Sequence, residues 1–185
     1  DSFLGIGLEH YLGPEHPIYS KMGMQQYRVE KAKPELIPFD AVRGWLLSGF
    51  QGSIKGDDLL SLMIEYGKVL YLMDAFFPGE GDALKIGYGE SELEWAKANE
   101  WQVWSVFLEK EVLYSDNGEE IRRYTGEGPF TGGFPHESPS QLGYWIGWQI
   151  VRAYMVENPD TSLPELMKLD NAQEILRKSG YKPKK

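Results

Sequence analysis

From Leu59 the chain reads Leu-Leu-Ser-Leu-Met-Ile-Glu-Tyr-Gly-Lys-Val-Leu-Tyr-Leu-Met to Met73, and Pro78 with Gly79 closes the run. Apolar residues fall on every face at the helical period, the pattern of a helix buried on all sides. Asp57 or Asp58 supplies its N-cap, which predicts a helix over roughly Asp57 to Phe76. Upstream, the apolar run Phe3, Leu4, Ile6, Leu8 predicts a short strand or buried extended segment over Ser2 to Leu8. Pro14 and Pro17 argue against a helix just beyond it. Residues 15–38 are polar and proline-punctuated, with room for a short helix near Ser20 to Tyr27. Asp40 predicts the cap of a helix through Val42, Trp45, Leu46 and Phe50 that stops near Gly52.

Downstream, helix starts are marked by their caps. Ser91 with Glu94 forms a capping box for a long amphipathic helix to about Tyr114. Ser138, Pro139 and Gln141 predict the start of a helix running to Val156. Ser162 with Glu165 and Asp170 with Gln173 open two short ones. Residues 79–89 are a Gly-rich loop without the Gly-Lys-Ser/Thr ending of a phosphate loop, and Glu80 and Asp82 oppose an anion there. Ser115 to Glu137 reads as loop or hairpin around Asp116-Asn117-Gly118. Gly143 and Gly147 stand four apart in a helix, where each glycine costs about 1 kcal/mol relative to alanine. That cost predicts close approach of another helix, most simply the buried one. The whole reads as one domain over residues 1–185, mainly α (α+β with little sheet) and roughly half helical.

Composition narrows the function classes. A hydrophobic share of 42% excludes a disordered chain. Six Trp, eleven Tyr and eight Phe provide for a large core or an aromatic interface. A net charge of −9 argues against nucleic acid, and the one basic cluster, Lys182, Lys184 and Lys185, reads as a solvated tail. The absence of cysteine excludes disulfides, thiolate metal sites and a cysteine nucleophile. No stretch approaches the roughly 20 apolar residues of a membrane span. The chain opens at Asp1 on an apolar run, which suggests a processed or truncated start with a signal or anchor upstream.

Candidate chemistry is sparse. The three histidines, His10, His16 and His136, form no HExxH spacing. His10 and His16 beside Glu9 and Glu15 leave a distributed metal site open, against the plainer reading of exposed loop imidazoles. No Gly-x-Ser-x-Gly elbow occurs, and the clustered carboxylates (Glu90, Glu92, Glu94; Glu119, Glu120) fall at helix starts or turns. Glu65 and Lys68 are three apart in the apolar helix and predict a partly buried ion pair, a snorkelling lysine, or a polar pocket. Tyr144, Trp145 and Trp148 predict a core stripe, with a sugar-stacking surface as the alternative.

The order of several segments resembles the GldB family, the gliding-motility-associated lipoproteins of Bacteroidetes. They are Leu4-Gly5-Ile6-Gly7-Leu8-Glu9-His10-Tyr11-Leu12-Gly13, then Met63 to Tyr71, Ile86-Gly87-Tyr88 and Asn99-Glu100 with Trp104. Leu113-Tyr114-Ser115, Pro129-Phe130, Glu137-Ser138-Pro139, Gly147 to Arg152 with Tyr154-Met155, and Ser179 with Tyr181-Lys182-Pro183 follow. The resemblance implies the C-terminal portion of a longer lipoprotein on the periplasmic side of the outer membrane. Its partners would be envelope proteins of gliding or secretion machinery. The family is distantly similar to predicted zinc proteases with an HExxH helix. That pattern lays Ile64 and Lys68 over the two histidines and Glu65 over the catalytic glutamate, which implies a degenerate zincin-like domain. The expectation is then a non-catalytic protein, with no cofactor, no metal and no nucleic-acid partner, and a remnant site at Ile64, Glu65 and Lys68. His10, Glu100, Gly143, Gly147, Trp148 and Arg152 are its candidate pocket or packing residues. The rivals are a metallohydrolase using His10, His16, His136 or other acids, and a glycan-binding module.

Overall fold

The computed structural model describes residues 4–50 and 52–185, and among these it contains eleven α-helices and no strand. In chain order they are α1 (Pro17–Lys21), α2 (Gln26–Glu30), α3 (Ile37–Phe50), α4 (Leu59–Phe76), α5 (Asp82–Ile86) and α6 (Glu90–Ala98). Then come α7 (Glu100–Glu109), α8 (Gly118–Thr125), α9 (Leu142–Glu157), α10 (Leu163–Lys168) and α11 (Ala172–Ser179). The mainly helical expectation holds. No helix of the described residues is long and apolar enough to cross a membrane.

The apolar run becomes α4, started by Asp58, whose carboxylate accepts from the Ser61 amide at 2.7 Å. Eleven of its residues are buried, on all sides of the helix. α9 lies along one face of it and α3 against another, and α11 packs on both α4 and α9. The α4–α9 crossing is set by glycine. A Cβ on Gly147 would fall inside the Met63 carbonyl, and one on Gly67 inside the Gly147 carbonyl. The two backbones therefore touch, and the packing gained there offsets the helical cost of both glycines. The main core, including Leu60, Met63, Ile64, Trp145, Trp148 and Val151, surrounds this contact.

Several boundaries differ from the sequence expectation. The Ser91 box is unused: Glu92 accepts from the Gly89 amide at 2.7 Å, and the long helix divides at Asn99 into α6 and α7. The Asn99 side chain donates to the Trp95 carbonyl at 2.8 Å, competing locally for a helix acceptor. The Asp116-Asn117-Gly118 turn starts a helix rather than a hairpin. Asn117 accepts from the amides of Glu119 and Glu120 and caps α8. α9 begins at Leu142, later than Ser138 predicts, because the Thr131 hydroxyl accepts from the Leu142 amide at 3.1 Å. The last helix is capped by Asn171 rather than Asp170, whereas Ser162 and Glu165 form the predicted box. α3 starts at Ile37, so Asp40 lies in its first turn. The Gly-rich stretch contains α5.

The N-terminal arm departs furthest. Of the expected strand, residues 2–3 lie outside the described residues, while 4–7 are irregular and exposed. Pro17 opens α1 instead of forbidding it, since a proline at the first helical position gives up no needed amide. The single helix expected near 20–27 is two helices, α1 and α2, around a small core of Tyr19, Val29 and Ala32.

Candidate functional site on the central helix

The turn from Ile64 to Lys68 holds the residues singled out from sequence. Ile64 is fully buried in the main core. Lys68 is fully buried too, and its ammonium donates to the Leu169 carbonyl at 2.6 Å and more weakly to Met167 at 3.5 Å. Both acceptors lie at the C-terminal end of α10, where helix carbonyls lack internal donors and the dipole favours a cation. Burial pushes the Lys68 pKa down to about 8, against the pull of Glu65 and Asp170. The expected direct pair with Glu65 is absent, and so is snorkelling. The lysine stem runs toward α10, whereas Glu65 accepts from the Ile54 amide at 3.3 Å and fixes the loop before α4.

Nearly two turns further on, α4, α5 and α9 meet in a charged knot. Arg152 donates to both oxygens of Asp74, at 2.9 and 3.0 Å, and to both of Asp82, at 2.8 and 2.9 Å. Lys85 donates to Asp74 at 2.9 Å. The Trp148 indole N–H donates to Asp74 at 3.3 Å, and the Arg152 guanidinium lies 3.7 Å from a Trp148 ring centroid. Burial opposes the charge on Arg152, but the two carboxylates outweigh it and hold its pKa above the ordinary value. The hydrogen bonds from Arg152 in turn hold Asp82 below its own. Every charge here is paired, so the knot fixes the three helices and leaves no free acid or base.

A cleft of about 380 Å³ separates the N-terminal arm from the body. Tyr66 reaches its wall, stacked on Tyr144 with centroids 3.8 Å apart. Tyr11 donates to Asp40 at 2.9 Å, Asp40 pairs with Arg43, and Arg43 donates to the Lys85 carbonyl at 2.8 Å. His10 stands at this cleft, His16 caps α1, and His136 stacks on Phe130. Among the described residues no group of three or more His, Asp and Glu side chains is gathered closely enough to hold a metal ion.

Of the candidate residues, Gly143, Gly147, Trp148 and Arg152 do share the face of α9 toward α4 and its neighbours. Glu100 and His10 lie elsewhere. Glu100 accepts from the Tyr181 hydroxyl at 2.9 Å, and burial raises its pKa against that bond. Asp74 and Lys85 carry no role in the sequence reading, and Asp82 enters it only as an acid of the Gly-rich loop. The signal was Asp74 itself, an acid near the C-terminal end of an apolar helix, where the dipole disfavours it and a cation must answer. Trp145 and Trp148 are buried and cannot stack on sugar, while the exposed rings are divided: Trp45 pairs with Phe76 and Trp101 with Lys185.

The fold and site define a mainly helical protein centred on a buried lysine-bearing helix locked to its neighbours by glycines and a charged knot. The model of the gliding motility protein GldB family matches residues 1–183, and the chain belongs to that family. It is thus a gliding motility-associated protein. No curated protein and no solved structure matches it.

Proposed function

We propose that this is a non-catalytic component of the cell envelope, a pseudo-enzyme that serves gliding or protein-secretion machinery by binding envelope proteins. Family membership is consistent with an envelope location. The resemblance to lipoproteins of Bacteroidetes supports a lipid anchor upstream and the periplasmic side of the outer membrane. Under this reading α4 is the counterpart of a zincin-like HExxH helix whose two ligand positions have become Ile64 and Lys68. The observation that supports it best is the Lys68 ammonium seated on the Leu169 carbonyl. An ammonium held there repels a divalent cation, and isoleucine offers no ligand atom. Glu65, the position of the would-be base, is engaged by the Ile54 amide.

The test is metal analysis of the purified protein together with a peptidase assay with and without chelator. The expected outcome is no stoichiometric metal and no chelator-sensitive cleavage. Cleavage that zinc restores after chelation favours the metallohydrolase reading and overturns this one.

A further inference from the structure

The charge of this chain is unevenly placed. Residues 175–185 contain Arg177, Lys178, Lys182, Lys184 and Lys185 and no acid, whereas all 28 Asp and Glu precede them. This basic end borders an apolar groove of about 510 Å³ between α7, α11 and the terminal segment, and no carboxylate lines it. Trp104 and Leu176 form part of its wall, and Trp101 (39% exposed) and Leu108 (51%) stand open to solvent. The groove is rigidly built. Tyr181 packs edge-on against Trp104 at 5.2 Å and donates to the half-buried Glu100, which pins the terminal segment beside α7. Lys185 lies 4.9 Å from the centroid of Trp101, so a cation already rims the apolar surface. Lys182, Lys184 and Lys185 form no ion pair among the described residues.

We infer that this groove is a docking site for an acidic segment of a partner protein that inserts a large apolar side chain between Trp101 and Leu108. The concave, mostly apolar floor suits one inserted side chain or helix face, as in helix-in-groove recognition. The three lysines, without an ion pair among the described residues, supply the complementary charge at the rim, where such contacts set orientation and encounter rate. A flat membrane surface suits a plane of apolar side chains, whereas these residues line a groove between two helices and the terminal segment. The inference is independent of whether α4 is a degenerate protease helix, because it uses no residue of α4.

A photo-reactive phenylalanine at Leu108, in the full chain expressed in its native cells, tests it directly. The expected result is one discrete cross-linked peptide, rich in Asp and Glu and bearing a large apolar residue. Reversing Lys182, Lys184 and Lys185 to Glu should lower its yield about tenfold. The same probe at Trp45, an exposed ring on α3, should not give that peptide. An adduct to lipid, an adduct to a second copy of this chain, no adduct, the same adduct from Trp45, or a yield indifferent to the charge reversal would each overturn the proposal. Circular dichroism of each purified variant confirms that it folds.

Discussion

The α4–α9 pair and the N-terminal arm use the same residue types to opposite effect. In the body, the charged groups of the knot are partly buried and paired, as Arg152 is with Asp74 and Asp82. In the arm, three residues make the core, and attachment to the body includes the Tyr11–Asp40 hydrogen bond and the exposed Arg28–Glu127 pair at 2.9 Å. Buried pairs whose loss strands a charge are costly to break, while exposed ones are screened by water. The body is therefore fixed by its polar groups, and the arm is only guided by them.

The sharpest way to break that contrast is at the glycine crossing. Gly147→Val should cost about 3 kcal/mol or more in urea unfolding, or prevent folding, because the added carbons meet the Met63 backbone. Arg152→Met comes next. It leaves Asp74 and Asp82 without their main partner, and a loss of about 3 kcal/mol in the same measurement is expected.

Lys68 gives a pH signature. Its folded pKa of about 8 lies below the ordinary 10.5, so between those values the unfolded chain binds more protons. Stability attributable to Lys68 then rises with pH across that window, by up to about 3 kcal/mol. Unfolding free energies of the native protein minus those of Lys68→Met, taken from pH 7 to 10, should show this rise. A flat difference would mean that water reaches the ammonium. The smallest effect is expected at the arm. Arg28→Ala should leave the global unfolding midpoint unchanged while speeding amide exchange in residues 17–30.

The comparison also explains what could be read from sequence. α4 was legible because its apolar residues cover every face, and the close helix approach was legible because Gly143 and Gly147 make no local sense without it. The knot was not legible, since Asp82 and Arg152 are 70 residues apart and look like ordinary surface charges until the fold joins them. The Glu65–Lys68 pair failed for a related reason. Spacing of three places two side chains near each other, but the carbonyls at the end of α10 compete for the ammonium. In the arm, Leu4, Ile6 and Leu8 look like strand residues, yet strand pairing needs a partner edge and the described chain offers none.

We propose above that Lys68, seated on backbone carbonyls at the end of α10, stands where a metal ligand would be on α4. Metal content per chain, measured after equilibration with excess zinc and desalting, tests it most directly when native protein is compared with Glu65→Gln. Far less than one zinc per chain is expected in both. One tightly held zinc per native chain would contradict it.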